Sequence, residues 1–278
     1  MKSVAAEALP VTRQSGKRHL TRAIRALAPL TTLAIILAIW QWAVRFFEVP
    51  SLVLPAPSEI VLNIIEKRHL YLVFSVPTLV QILAGFAMAA ALGVLLGIAV
   101  SFSGLARRTV YPILVSSQMV PKVAIAPVLV IWFGTGLEAK VFIAFLIAFF
   151  PITLSTMVGL AAVDPDMVRL FRAMRAGPYR TFVKLRLPTA LPNIFAGLKI
   201  GMSLAVVGAI VAEFVAADRG LGYYLLYANG QLDGPGVFAA LTLLTIIGVL
   251  LYYAVEVVER LFIPSALVQD TDPTKASM

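Results

Sequence analysis

Six stretches of this sequence are apolar on every face a helix could present, and each is long enough to cross a bilayer. They run Ala28–Phe47, Thr78–Phe102, Tyr111–Phe133, Ala139–Ala161, Pro192–Ala216 and Val237–Phe262. A helix on the surface of a soluble domain keeps one polar face; one that is apolar all round belongs in lipid or inside a bundle. About 20 residues at roughly 1.5 Å each cover a hydrocarbon core of about 30 Å. Composition agrees, with 60% hydrophobic and 13% charged residues, where soluble domains carry about 25% charged. The expected fold class is an all-α polytopic membrane protein with six transmembrane helices. Residues 28–262 form one membrane domain, between a basic tail, 1–27, and a second tail, 263–278. No second sizeable soluble domain fits.

Charge sets the orientation. A net charge of +9 in a soluble chain would suggest nucleic acid. Here the basic residues follow topology, because Lys and Arg collect on the cytoplasmic side, and no nucleic-acid partner is expected. Lys2, Arg13, Lys17, Arg18, Arg22 and Arg25 face a single acid, Glu7, before the first apolar run. That run is longer than the apolar part of a usual signal peptide and shows no clear small-residue cleavage site, so it reads as a retained span. With the first tail inside, Arg107 and Arg108, the six basic residues of the loop after Asp164, and the last tail are also inside. Lys67, Arg68, Lys140 and Arg219 fall outside. Both termini are then cytoplasmic.

Several chemistries have no residues to run on. Cysteine is absent and the two histidines, His19 and His69, are fifty positions apart without ligand-like neighbours, so no metal site is expected. No G-x-x-x-x-G-K-[ST] run occurs, hence no phosphate-cradling loop. No Ser/His/Asp grouping is visible, and neither catalysis nor a cofactor is expected in this chain.

Span two carries Gly85, Ala89, Gly93 and Gly97, and span five carries Gly197, Gly201, Ala205 and Ala209. Small residues every four positions make a flat stripe that another backbone can approach closely. Pro121, Pro127 and Pro151 predict kinks in spans three and four. Two ionisable residues fall inside predicted spans: Lys122 near mid-depth of span three and Glu213 toward the outer end of span five. Such groups are functional or paired as a rule, because an unpaired charge there costs about 2.5–3.5 kcal/mol. They read either as a solute path or as a structural pair with each other; Lys122 could also snorkel. Outside, Ser58 reads as the N-cap of a short helix after Pro50, Pro55 and Pro57. Tyr223, Tyr224 and Tyr227 suit a short interfacial helix. Glu256 and Glu259 read as interfacial at the inner end of span six.

The loop 163–191, between spans four and five, is too polar to cross and longer than an ordinary helix connection. Asp164 or Asp166 can cap a helix with Pro165 in its first turn. Met167–Ala176 then places Leu170, Phe171 and Met174 on one side and Arg169, Arg172 and Arg175 elsewhere. Gly177-Pro178 breaks the pattern. Tyr179–Leu187 reads as a second short helix, with Phe182 and Leu185 apolar and Arg180, Lys184 and Arg186 polar, ended by Pro188. Such a basic-rimmed knob suits a groove on a partner protein, and equally an anionic lipid surface.

The stretch resembles the cytoplasmic Glu-Ala-Ala loop of permease subunits of ABC importers, whose motif ends in Leu-Pro as Leu187-Pro188 does. The similarity extends through LPAPSEI (54–60), VPKVAIAPVLVIWFG (120–134), FFPI (149–152) and AEFVAADRGLGYYL (212–225). These runs resemble the nitrate, sulfonate, taurine and thiamine-precursor branch of the binding-protein-dependent type I importers. The resemblance implies a type I importer permease fold in the bacterial inner membrane. The implied partners are two copies of an ABC ATPase, a second permease copy as a homodimer, an external or periplasmic solute-binding protein, and membrane lipid. It makes Asp166, Arg169, Leu170, Phe171, Arg172, Met174, Arg175, Gly177, Phe182, Leu185, Leu187 and Pro188 the ATPase-coupling loop. Aligned back from Pro188, the motif's Glu falls on Arg169, its two Ala on Leu170 and Phe171, and its Gly on Arg175, so Gly177 reads as a shifted bend. The implied solute is small and polar or anionic: a pyrimidine-type vitamin precursor, or a sulfonate, taurine or nitrate. The rival readings are an ion-gradient-driven transporter and a membrane scaffold.

Overall fold

The computed structural model describes residues 15–216 and 218–263, with side chains from Ala28 onward except Pro29. The expected tail segments 1–14 and 264–278 lie outside the described residues. The remainder of the expected first tail is helical: α1 runs Ser15–Phe46, a segment rich in the helix formers Ala, Leu and Arg.

Every described element is a helix. α2 (Pro57–Glu66) and α3 (Arg68–Ser101) follow α1, then α4 (Gly104–Ser117) and α5 (Lys122–Phe133). α6 is Leu137–Ala161, and a short polar pair comes next, α7 (Pro165–Ala173) and α8 (Pro178–Thr181). α8 continues through a π-turn, Phe182–Arg186, into α9 (Leu187–Ala216), and α10 (Leu221–Gly230) and α11 (Gly234–Phe262) complete the order. Among the described residues four helices are long and apolar enough to cross a membrane: α3, α6, the continuous Pro178–Ala216 helix and α11. The bent pair α4–α5 makes a fifth if it counts as one span.

α6 is the centre of the bundle. The two predicted stripes face it from opposite neighbours. On α3, a Cβ at Gly85 would stand 2.6 Å from the Ala144 Cβ, and one at Gly97 2.7 Å from the Thr156 Cβ. On α9, Gly197 packs on Ser155, Gly201 on Ile152, and Gly208 on the Ala144 backbone. Ala89, Ala205 and Ala209 are fully buried beside them. In lipid, apolar transfer gives helices little reason to associate; close van der Waals packing of this kind supplies it.

Four sequence expectations change. The second span begins at Arg68 rather than Thr78, because Pro77 sits inside the helix without ending it. The third is not one continuous helix: α4 and α5 meet at 91°, with Pro121 extended at the N-cap of α5, where its missing N–H costs nothing. Ala56, not Ser58, caps α2; the Ser58 N–H instead donates to Gln41 on α1 at 3.0 Å. Pro188 does not end a helix. The π-turn re-registers the hydrogen bonds ahead of it, the Leu187 N–H reaching back to the Phe182 carbonyl, so a residue with no N–H is passed without a break.

Gly97→Val should push α3 away from α6 and cost about 1–3 kcal/mol. Thermal unfolding in detergent should show a lowered Tm. Gly104→Ala, which meets no atom within 4 Å, should leave it unchanged.

Candidate functional site

Two polar groupings stand out, at opposite ends of α9. At its N-terminal end, Asp164 caps α7 by accepting the Asp166 N–H at 2.8 Å, and Pro165 takes the first position. The end of α7 is a left-handed turn: Arg175 has φ 55°. Its N–H donates to the Arg172 carbonyl at 2.9 Å, and the Ala176 N–H donates to the Phe171 carbonyl at 3.0 Å. This pairing is the Schellman closure of a helix, which favours glycine at the residue Arg175 occupies. Gly177 has φ −65° and needs no such freedom. The bend therefore lies where the family motif carries its glycine, not at Gly177, and an arginine makes it at a cost of about 1 kcal/mol.

The twelve loop residues divide by exposure. Leu170 is 50% exposed and Met174 72%. Asp166, Arg169, Arg172 and Arg175 are exposed around them, with Arg169 paired to Asp166 at 3.0 Å. Phe171 is half-buried. Leu185, by contrast, is buried at 8% exposure, and the Phe182 ring packs 5.0 Å from the Phe102 ring at the end of α3. Phe182 and Leu187 join the apolar cluster of Leu160, Ala190 and Ile194. These residues, with Pro188, anchor the loop to the bundle; Leu170, Met174 and the arginines are what it presents. Tyr179, 77% exposed, is presented too, a contact residue that the apolar spacing of the loop does not single out. A cavity of about 280 Å³ separates α7 from the bundle, lined by Val168, Arg172, Phe102 and Arg186.

At the other end of α9, Glu213 is 1% exposed. Its Oε1 accepts from the Thr78 hydroxyl at 2.7 Å, and its Oε2 from the Gly222 N–H at 2.6 Å. Thr78 in turn accepts the Leu221 N–H at 2.8 Å. Lys140, 6% exposed, lies nearby and pairs with Asp218 at 3.6 Å. Glu213 is among the residues lining a cavity of about 600 Å³, and Lys140 and Gln81 border another of about 470 Å³. Thr78, Gln81 and Lys140 escaped the sequence reading. The signal that could have raised them was the pair Gly220 and Gly222 close after Glu213.

Lys122 is elsewhere. It is the first residue of α5, half-buried, with Nζ 3.5 Å from the Gln118 carbonyl and 5.1 Å above the Phe150 ring. The helix breaks just before it, so Lys122 opens α5 instead of lying inside a continuous helix. The alternative pairing with Glu213 is not formed, since Glu213 takes Thr78 and Gly222. Glu259 pairs with Lys199 at 2.7 Å, and Glu256 with Arg260 at 2.6 Å.

The described residues form an all-helical bundle with a basic loop presented at one end and a buried polar grouping at the other. Residues 89–265 match the family of binding-protein-dependent transport system inner membrane components, and the chain belongs to it. It is a multi-pass permease subunit of an ABC importer in the inner membrane, and works with an ATPase and a binding protein rather than as a catalyst. The chain is 37% identical over 244 residues to the formylaminopyrimidine transport permease protein ThiX of Halalkalibacterium halodurans, covering 87% of this chain and 97% of that one. It is 34% identical over 261 residues to the riboflavin transport system permease protein RibX of Chloroflexus aurantiacus, covering 92% and 97%. It is 29% identical over 246 residues to the taurine transport system permease protein TauC of Escherichia coli, covering 84% and 87%. A chain of the MetNI methionine ABC transporter, in an inward-facing conformation, superposes with a TM-score of 0.60 at 20% identity, over 72% of this chain and 99% of that one. The family leaves no place for the ion-gradient and scaffold readings.

At the end that carries Glu213, Lys67 Nζ donates to Asp233 Oδ2 at 2.8 Å, and Asp233 also caps α11 by accepting the Gly236 N–H. Burial opposes charge on Lys67, but Asp233 outweighs it and holds the ammonium above its ordinary 10.5. Burial likewise opposes charge on Asp233, and the bonds from Lys67 and Gly236 hold its carboxyl below 3.8. The Asp233 contribution is therefore present above its ordinary value and lost as pH falls through the lowered one. The Lys67 contribution is present below 10.5 and lost as pH rises through the raised one. The stability gap between the native chain and Asp233→Asn, read from Tm in detergent, should be flat from about pH 5 to about pH 9 and close at both extremes.

Proposed function

We propose that the chain crosses the membrane six times with both termini in the cytoplasm. α1 supplies the first crossing and the α4–α5 pair the third. α7 and α8 then project into the cytoplasm, and α2 and α10 form the outer rim. Residues 163–191 are the coupling loop, gripped by the ATPase through Leu170, Met174, Arg169, Arg172 and Arg175. Two permease copies, as a homodimer, and two ATPase copies make the working unit. The observation that carries this reading is the pairing of a presented face, Leu170 and Met174 ringed by arginine, with an anchored one, Phe182 and Leu185. Only a loop fastened at its base can transmit force from its tip.

The solute we propose is a small nitrogen heterocycle of the pyrimidine-vitamin-precursor class, with sulfonate, taurine or nitrate as the second reading. Support comes from ThiX and RibX, both named for heterocyclic solutes and both matched along 97% of their length. TauC supports the second reading. Lys122 is the proposed path residue, its Nζ held by the Gln118 carbonyl and the Phe150 ring; Glu213 acts through structure rather than by touching solute.

Leu170→Glu and Arg169→Glu should each lower recovery of the ATPase in pull-down from membranes by roughly tenfold, the loss expected of an interface hot spot. Unchanged recovery in both would remove the coupling assignment. Calorimetry of the binding protein against formylaminopyrimidine, riboflavin and taurine should return one tight ligand, and ATP-dependent uptake of that ligand into proteoliposomes completes the test.

A further inference from the structure

We propose that Glu213 and Thr78 are positioning residues for transport: they fasten the outer helix α10 to the same lever that carries the coupling loop. This rests on the permease reading and extends it to a residue-level connection. The lever is the helix Pro178–Ala216, 39 residues without a break and about 58 Å long. One end, Pro178, starts four residues beyond Met174 at the tip of the loop. The other end carries Glu213.

A helix N-terminus leaves its first N–H groups without partners. In α10 the N-cap is Gly220, with φ 121° and no side chain to offer. The missing caps come from other helices. The Gly222 N–H goes to Glu213 on α9, and the Leu221 N–H to Thr78 on α3. Glu213 and Thr78 are also bonded to each other. The chain leaves room for this: a Cβ at Gly220 would overlap the Glu213 carboxylate, and one at Gly222 would come 2.8 Å from Oε2. Farther along α10, Tyr224 packs edge-on to Tyr71 of α3 at 5.1 Å. Covalently, α10 is separated from α9 by residues 217–220. With its first two N–H groups held by buried side chains, it has to move when α9 moves. A displacement imposed at Leu170 and Met174 then reaches the rim where solute is handed over.

The test uses the full complex with its ATPase in proteoliposomes. The chain has no cysteine, so Tyr227→Cys on the exposed side of α10 gives one reporter, reacted with a membrane-impermeant maleimide. In an otherwise native chain its labelling rate should change several-fold between nucleotide-free and ATP–vanadate conditions. Thr78→Val and Glu213→Ala should bring that ratio to about 1, while the ATPase still assembles and hydrolyses ATP. Thr78→Ser, which keeps the hydroxyl, should retain the native response and shows that the loss is not one of folding. A response that survives in both Thr78→Val and Glu213→Ala overturns the latch and leaves the permease reading intact. No response in the native chain overturns both.

Discussion

The contact on which everything else in this bundle rests is the sandwich of α6 between two glycine and alanine stripes. Water drives soluble helices together by expelling apolar surface, but lipid offers no comparable push. Gly85, Gly97, Gly197 and Gly208 let three backbones come close enough for dispersion to act over long lengths. That sandwich sets α3 and α9 against the same central helix, and partly against each other. It thereby fixes where both ends of α9 arrive: the loop against Phe102, and Glu213 against Thr78. The two polar groupings are consequences of one apolar fit.

The ends of the bundle are built on opposite plans. At the α7 end the polar groups are presented, and apolar residues hold them from behind. At the α10 end the polar groups are buried and satisfied, and what they hold is backbone. Glu213 shows the logic of a buried acidic side chain in a membrane helix: burial is tolerable once donors reach both oxygens. Arg175 shows the reverse, a strained backbone position kept at the surface by a residue whose guanidinium remains exposed.

The parts legible in the sequence were those written as local pattern. Four-residue spacing of small side chains predicted the faces that meet α6. Asp164-Pro165 predicted the start of α7, and the arginine-rich interval predicted its exposed polar face. What escaped was carried by hydrogen bonds between distant residues or by bonds re-registered within one helix. Thr78 looks like any threonine in an apolar run, and Thr153 and Thr156 spend their hydroxyls on their own helix; nothing near Thr78 says that it serves α10. The π-turn leaves no mark except Pro188, which local rules read as a stop. Pro121 could as well have kinked the third span as broken it, because the apolar residues on either side are the same in both cases.

The right angle between α4 and α5 has a further implication for the surroundings of the chain. α5 is 12 residues long, so it reaches about 18 Å, well short of a hydrocarbon thickness of about 30 Å. Its opening turn, with uncapped amide protons and the Lys122 ammonium, cannot be left facing acyl tails. Hydration or another polypeptide has to shelter that corner.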